Sequence, residues 1–98
     1  MHLKIHKSYR SIVSLADSSL IGKKFEEGKF QLDIRENFYK GEEIEKQEAI
    51  KILQKQKVED ATFNIVGKES IQTALEAGII SQDNLSKIAH IPFALTLL

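Results

Sequence analysis

Ala-Thr-Phe-Asn-Ile-Val-Gly-Lys-Glu-Ser-Ile-Gln-Thr-Ala-Leu-Glu-Ala-Gly-Ile-Ile, residues 61–80, is the stretch that decides the fold. Phe63 and Ile65 supply the aromatic and β-branched side chains that suit a pleated, half-buried surface. Gly67 then allows a sharp turn, and the apolar residues that follow recur at helical spacing. Gly78 stands where a left-handed cap would end that helix. The stretch therefore predicts a strand, a glycine corner and a helix in direct succession.

The rest of the chain supplies further strands and one long helix. Alternating or apolar strand patterns cover residues 2–7, 12–16, 30–34 and 87–96, and an amphipathic helical pattern covers 44–56. Asp17 is expected to cap a short helical turn over 18–21, and Pro92 puts the last segment at a sheet edge or a strand end. This order predicts an α+β fold with a mixed or antiparallel sheet and two main helices packed on it.

The apolar positions of these elements predict a single shared core. We expect one cluster of buried side chains from the central strand, both helices and the strand at 30–34. Its members are Phe63, Ile65, Ile71, Leu75, Leu32, Ile34, Ile50 and Leu53.

Composition bounds the class of protein. The 98 residues predict one domain, 1–98, that is large enough to bury a core without a metal or a disulfide. The absence of cysteine excludes disulfides and thiolate chemistry and agrees with a reducing cytoplasm. No apolar run approaches the length of a signal peptide or of a membrane helix, so we expect a cytoplasmic protein and no membrane association.

Charge is unevenly distributed although the formal net charge is zero. Residues 1–24 carry five basic residues and one acidic residue, a net charge of +4, whereas residues 25–50 carry four basic and eight acidic residues. The glutamates before the helix at 44–56 and the lysines near its end favour the helix dipole, which explains part of this segregation. The basic first quarter is the part that helix formation does not explain.

Motifs for catalysis or cofactor binding are weak. His2 and His6 share a strand face, but the lysine between them would repel a divalent cation. Val66 to Ser70 resembles a phosphate-binding loop only superficially, because the first glycine and the loop length are missing, although a free helix N-terminus there could hold one phosphate. We therefore predict no catalytic residue, no metal site and no cofactor.

Several short motifs give the chain a resemblance to a known family. They are Gly22-Lys23-x-Phe25-x-Glu27-Gly28, Phe38-Tyr39-x-Gly41, Glu48-Ala49, Asn64-Ile65-Val66-Gly67, Ala74 and Ala77-Gly78-x-Ile80. On these residues the chain resembles the archaeal domain-of-unknown-function 424 family. The resemblance implies a small archaeal cytosolic protein with no assigned activity.

The resemblance has one departure, in the C-terminal segment. Members of the family often carry Gly-(Val/Ile)-Pro-His-Ala-Gln where this chain has His90-Ile91-Pro92-Phe93-Ala94-Leu95. Both the histidine and the glutamine are therefore replaced by apolar residues. If those two residues carry a family activity, we expect this chain to lack it.

Two kinds of binding module fit the sequence better than an enzyme does. A basic N-terminal surface could bind RNA or a ribonucleoprotein, since phosphates need cationic contacts; its candidate residues are Lys4, His6, Arg10, Lys23 and Lys24. The alternative is a protein-interaction or homodimerising module that uses the apolar C-terminal strand as an edge. Convergence of the cations on one face would favour RNA. Scattered cations together with exposed Phe93 and Leu95 would favour a protein partner.

Overall fold

The computed structural model describes residues 1–96, which form eight strands, three α-helices and two 3₁₀ turns. The strands are β1 (His2–His6), β2 (Ile12–Ala16), β3 (Lys24–Glu27), β4 (Phe30–Asp33), β5 (Glu42–Glu43), β6 (Thr62–Val66), β7 (Leu85–Ile88) and β8 (Ile91–Thr96). The helices are α1 (Glu36–Tyr39), α2 (Lys46–Val58) and α3 (Lys68–Ala77), and the 3₁₀ turns span Ser18–Leu20 and Gln82–Asn84.

Six of the strands form one mixed sheet, in the order β5-β1-β2-β6-β8-β7. The β2–β6 pair is parallel, and the other neighbours are antiparallel. The predicted α+β class is confirmed, and β6 with α3 forms the strand–glycine–helix unit that residues 61–80 predict. Within residues 1–96, no helix is long and apolar enough to cross a membrane.

The first face of the sheet is covered by α2 and α3. Strands β1, β2 and β6 contribute alternate residues to this face, and Leu15, Leu53 and Ile65 are almost completely buried there. Ile50 and Leu75 pack against the same cluster from its half-buried border. Most of the predicted core is therefore found on this face, where packing of the helices on the sheet removes the apolar side chains of both from water.

The second face is covered in part by α1 and by the separate two-stranded sheet of β3 and β4. Ile34 is fully buried in this second cluster, with Ala16, Tyr39 and Val66, and Leu32 packs at its border. The expectation that Leu32 and Ile34 share a core with Phe63 was wrong. Alternation gives a strand one buried face, but it does not say which surface that face will cover.

Asp17 links the end of β2 to the start of α3. Its carboxylate accepts hydrogen bonds from the backbone N–H of Glu69 at 3.2 Å, from the N–H of Ser70 at 2.8 Å and from the Ser70 hydroxyl at 2.7 Å. It makes no side-chain cap to the 3₁₀ turn that follows it in sequence. The predicted cap was therefore assigned to the wrong element, because α3 lies 52 residues further along the chain.

Gly67 and Gly78 both have positive φ, at 106° and 76°. Gly78 is the left-handed cap of α3, and a side chain there would point into open space. A methyl group on Gly67 would overlap the Asp17 carboxylate. Gly67 therefore meets two requirements, an unusual backbone conformation and room for the carboxylate that caps α3.

We expect Gly67→Ala to destabilise the chain more than Gly78→Ala does. The Gly78 change adds only backbone strain, which costs about 1–2 kcal/mol. The Gly67 change places a side chain at φ 106° and ψ 155°, a backbone conformation that essentially only glycine adopts, and it also displaces the Asp17 carboxylate. Chemical denaturation of both variants, alone and combined with Asp17→Ala, measures the difference. The excess loss at Gly67 should shrink in the Asp17→Ala background, and equal losses at the two glycines would contradict this account.

The C-terminal segment is a hairpin and not a single strand. β7 and β8 are joined by Ala89 and His90, both with positive φ, as a primed two-residue turn requires. β8 lies between β6 and β7, so the expectation that the apolar C-terminal strand forms a sheet edge was wrong. The hairpin places β7 at the edge and β8 in the interior.

Pro92 is tolerated in an interior strand because it is only one residue from the start of β8. Its carbonyl accepts a hydrogen bond from the Gly67 N–H at 2.8 Å, so its nitrogen also points to that side, beyond the end of β6. The Gly67 carbonyl is already bonded to the N–H of Ile71. The missing N–H of Pro92 therefore leaves no acceptor unpaired.

The strained β7–β8 turn predicts a stabilising substitution. Ala89→Asn with His90→Gly should raise the free energy of unfolding by about 1 kcal/mol, because these residues suit positive φ at both positions. The Ala89 N–H donates to a Glu27 carboxylate oxygen at 2.9 Å, and the double variant keeps this bond. His90→Ala is the control, which should bring no such gain. A double variant no more stable than the natural chain in thermal denaturation would contradict the prediction.

Candidate interaction surface

Lys4 and His6 hold α1 against the second face of the sheet. The Lys4 ammonium donates to the Asn37 carbonyl at 2.8 Å, and His6 Nε2 donates to the Phe38 carbonyl at 2.8 Å. The His6 ring also stacks on the Phe38 ring, with 4.4 Å between the ring centroids. The buried Ser14 hydroxyl donates to the same Phe38 carbonyl at 2.8 Å. These two predicted site residues thus have structural partners within the chain.

The other three predicted cations lie at opposite ends of β2. Arg10 precedes the strand, in the loop after β1, whereas Lys23 and Lys24 follow it beyond a 3₁₀ turn. A five-residue strand is about 16 Å long. All three side chains are exposed. The structure therefore brings Lys4 and His6 together at α1 and separates Arg10 from Lys23 and Lys24 by the length of β2.

His2 and the N-terminus of α3, the candidate metal and phosphate positions, also contact other groups of the chain. His2 Nε2 lies 3.2 Å from a Glu43 carboxylate oxygen, and its Nδ1 lies 3.0 Å from the Gly41 carbonyl. The Asp17 carboxylate caps the N-terminus of α3. A negative group from the chain itself occupies that position, so this helix N-terminus is not free to hold a phosphate.

The loop between β1 and β2, residues 7–11, forms an exposed tip. Tyr9 is fully exposed, and Lys7 and Arg10 on either side of it are exposed as well. The Ser8 hydroxyl donates to the Arg10 carbonyl across the loop. Among residues 1–96, neither Lys7 nor Arg10 takes part in an ion pair. The tip therefore presents one aromatic ring and two cations to solvent.

Next to the tip, part of the second face lies outside the two covering elements. We call this area the open strip; it consists of Ile12, Thr62, Asn64 and Leu95. Asn64 and Leu95 are paired on neighbouring strands, and Leu95 is 51% exposed although it lies on an interior strand. The other three residues are half-buried. The open strip carries no charge.

The open strip was only partly visible in the sequence. The apolar C-terminal segment indicates Leu95 as a candidate contact, but it does not indicate Ile12, Thr62 or Asn64. Phe93 is half-buried against the second cluster, which leaves Leu95 as the exposed member of that pair. Both residues lie on the second face, at the positions where the chain departs from the C-terminal segment of the family it resembles. The apolar character of the C-terminal segment is the sequence signal that indicates this surface.

Burial raises the pKa of Tyr39, which packs under α1 in the second cluster. Its phenol is therefore neutral near pH 7. The packing of Tyr39 and the hydrogen bonds from Lys4 and His6 hold α1 against the second face of the sheet. The surface presents apolar and amide side chains to solvent, with cations at one end.

The fold and this surface define a small α+β domain built on a six-stranded mixed sheet with one face left partly open. The family described as "Protein of unknown function (DUF424)" matches residues 6–97, and the chain belongs to that family. The family resemblance stated from the sequence is confirmed.

Comparison with solved structures gives the same architecture. The chain is similar to an uncharacterized conserved protein from Methanopyrus kandleri, known from a crystal structure, with a TM-score of 0.87 and 23% sequence identity. The similarity covers 97% of this chain and 88% of the other. At this identity the likeness supports the fold alone. No curated protein matches the chain.

Proposed function

We propose that this chain is a protein-interaction module whose binding surface is the open strip. The observation that carries the proposal is Leu95, which is half exposed on an interior strand although the neighbouring parts of both sheet faces are covered. An interior strand offers no free backbone edge, so a partner would contact side chains on the face of the sheet. This differs from the edge pairing expected from the sequence.

The composition of the surface supports a protein partner. Interface centres are depleted of charge, and the open strip is uncharged. Tyrosine and arginine are the residues that most often dominate interface energetics, and Tyr9 and Arg10 stand exposed at its end. Ile12 and Leu95 supply apolar area, and the Asn64 amide can pair with a backbone group of the partner.

An RNA partner is the rival proposal. It draws on the tip, where a fully exposed tyrosine lies between two cations. The scattering of Lys4, Arg10, Lys23 and Lys24 argues against it, because a continuous track of phosphate contacts needs cations on one surface. A protein partner is therefore favoured, and sensitivity of a cross-linked adduct to protease or to RNase distinguishes the two partners.

We also propose a cytoplasmic location in an archaeal cell. The chain lacks cysteine, as befits a reducing compartment, and its structural neighbour comes from Methanopyrus kandleri. An enzymatic role is not part of the proposal, since binding accounts for the surface that the fold leaves open.

A photo-reactive residue placed at position 95 tests the proposal in native lysate. Val58 provides the matched control position, because it is also exposed and apolar but lies at the end of α2. We expect position 95 to give a discrete adduct that is sensitive to protease and resistant to RNase, and position 58 to give none. Unlabelled natural chain should compete for the adduct, whereas unlabelled Leu95→Lys should not.

The rival outcomes of this cross-linking experiment are distinct. An RNase-sensitive adduct at position 95 would replace the protein partner by RNA. Equal labelling at positions 95 and 58 would overturn the use of the open strip. Thermal denaturation of Leu95→Lys is the folding control, and we expect little change because the side chain already faces solvent.

A further inference from the structure

We infer that the partner presents an acidic surface beside the apolar side chains that cover the open strip. The inference rests on the proposed function and adds the chemistry of the partner to it. It follows from the charge of the tip, which adjoins the open strip through the first residue of β2. A partner that covers Leu95 and extends along the strip towards Ile12 meets Lys7 and Arg10 next.

The two tip cations are not paired with a carboxylate within the described residues. Residues 1–16 contain no acidic residue, and neither cation takes part in an ion pair in residues 1–96. Glu59 and Asp60 lie at the same end of the sheet, between α2 and β6, but they form no ion pair with the tip. The open strip itself adds no charge of either sign.

A second copy of the chain suits this surface poorly. In a two-fold dimer the same patch lies on both sides of the interface, so four cations would be brought to one contact with no carboxylate from either patch. The open strip is also small, with four side chains of which three are half-buried. A stable dimer buries about 800 Å² on each partner. A different protein that supplies carboxylates avoids the repulsion and extends the contact onto the tip.

Charges at the border of an interface act mainly on the rate of association. Complementary charges steer the encounter and raise association rates by about 10-fold to 1,000-fold, and the effect falls as ionic strength rises. Lys7 and Arg10 are exposed and make no ion pair within the described residues, so they are suited to steering. The apolar contact at Leu95 would then determine how slowly the complex dissociates.

The test uses the protein captured through position 95, purified after its identification by mass spectrometry. We expect Lys7→Glu with Arg10→Glu to slow its association with the full chain by about tenfold or more at low ionic strength. The matched control is Lys23→Glu with Lys24→Glu, which makes the same change in charge at the other end of β2 and should leave the rate within about twofold of the natural chain. Stopped-flow measurements at low and high ionic strength give both rates.

Each outcome separates this inference from the proposed function. If a protein is captured at position 95 but the two double variants associate equally fast, the acidic partner is wrong and the interaction module stands. An adduct of two copies of the chain would also overturn the acidic partner. If no protein is captured at position 95, the proposed function fails and the inference fails with it. Circular dichroism of both double variants checks that neither change has unfolded the domain.

Discussion

The contact between the Asp17 carboxylate and the N-terminus of α3 connects the parts of this fold. The carboxylate satisfies two backbone N–H groups that a helix start would otherwise leave without partners. It does so from the end of β2, the strand that pairs in parallel with β6, just before the chain turns at Gly67 into α3. The carboxylate reaches α3 only if β2 and β6 pair in this register and α3 begins directly after the turn. Residue 67 must be glycine, because a side chain there would overlap the carboxylate.

The two faces of the sheet differ in how completely they are covered, and the candidate surface lies on the less covered face. Two long helices cover the first face, whereas the second face is covered by a four-residue helix and a short hairpin. These smaller elements leave Leu95 half exposed. Lys4, His6 and Ser14 fix α1 by its backbone carbonyls, so polar groups that read as surface residues in the sequence hold a covering element in place. A partner at the open strip would complete the cover that the chain begins.

Local patterns in the sequence predicted the elements better than their partners. The β6–α3 unit, with its turn at Gly67 and its left-handed cap at Gly78, was predicted correctly, because strand alternation, helical spacing and glycine turns are properties of adjacent residues. The strand at 30–34 was found as β4, but its place in a separate hairpin was not. Likewise Asp17 was recognised as a capping residue and assigned to the nearest helical turn, although the helix it caps lies far along the chain.

The sequence by itself determined the α+β class, the family, the apolar stripes that form the first core and the two glycines that bend the chain around α3. The tertiary structure alone decided which face each stripe covers, that β8 is an interior strand and that Lys4 and His6 bind the backbone of α1. The physical reason is the range of the interactions. Propensity and periodicity act over a few residues, whereas sheet order, helix capping from a distant strand and the exposure of Leu95 depend on residues that meet only when the chain is folded.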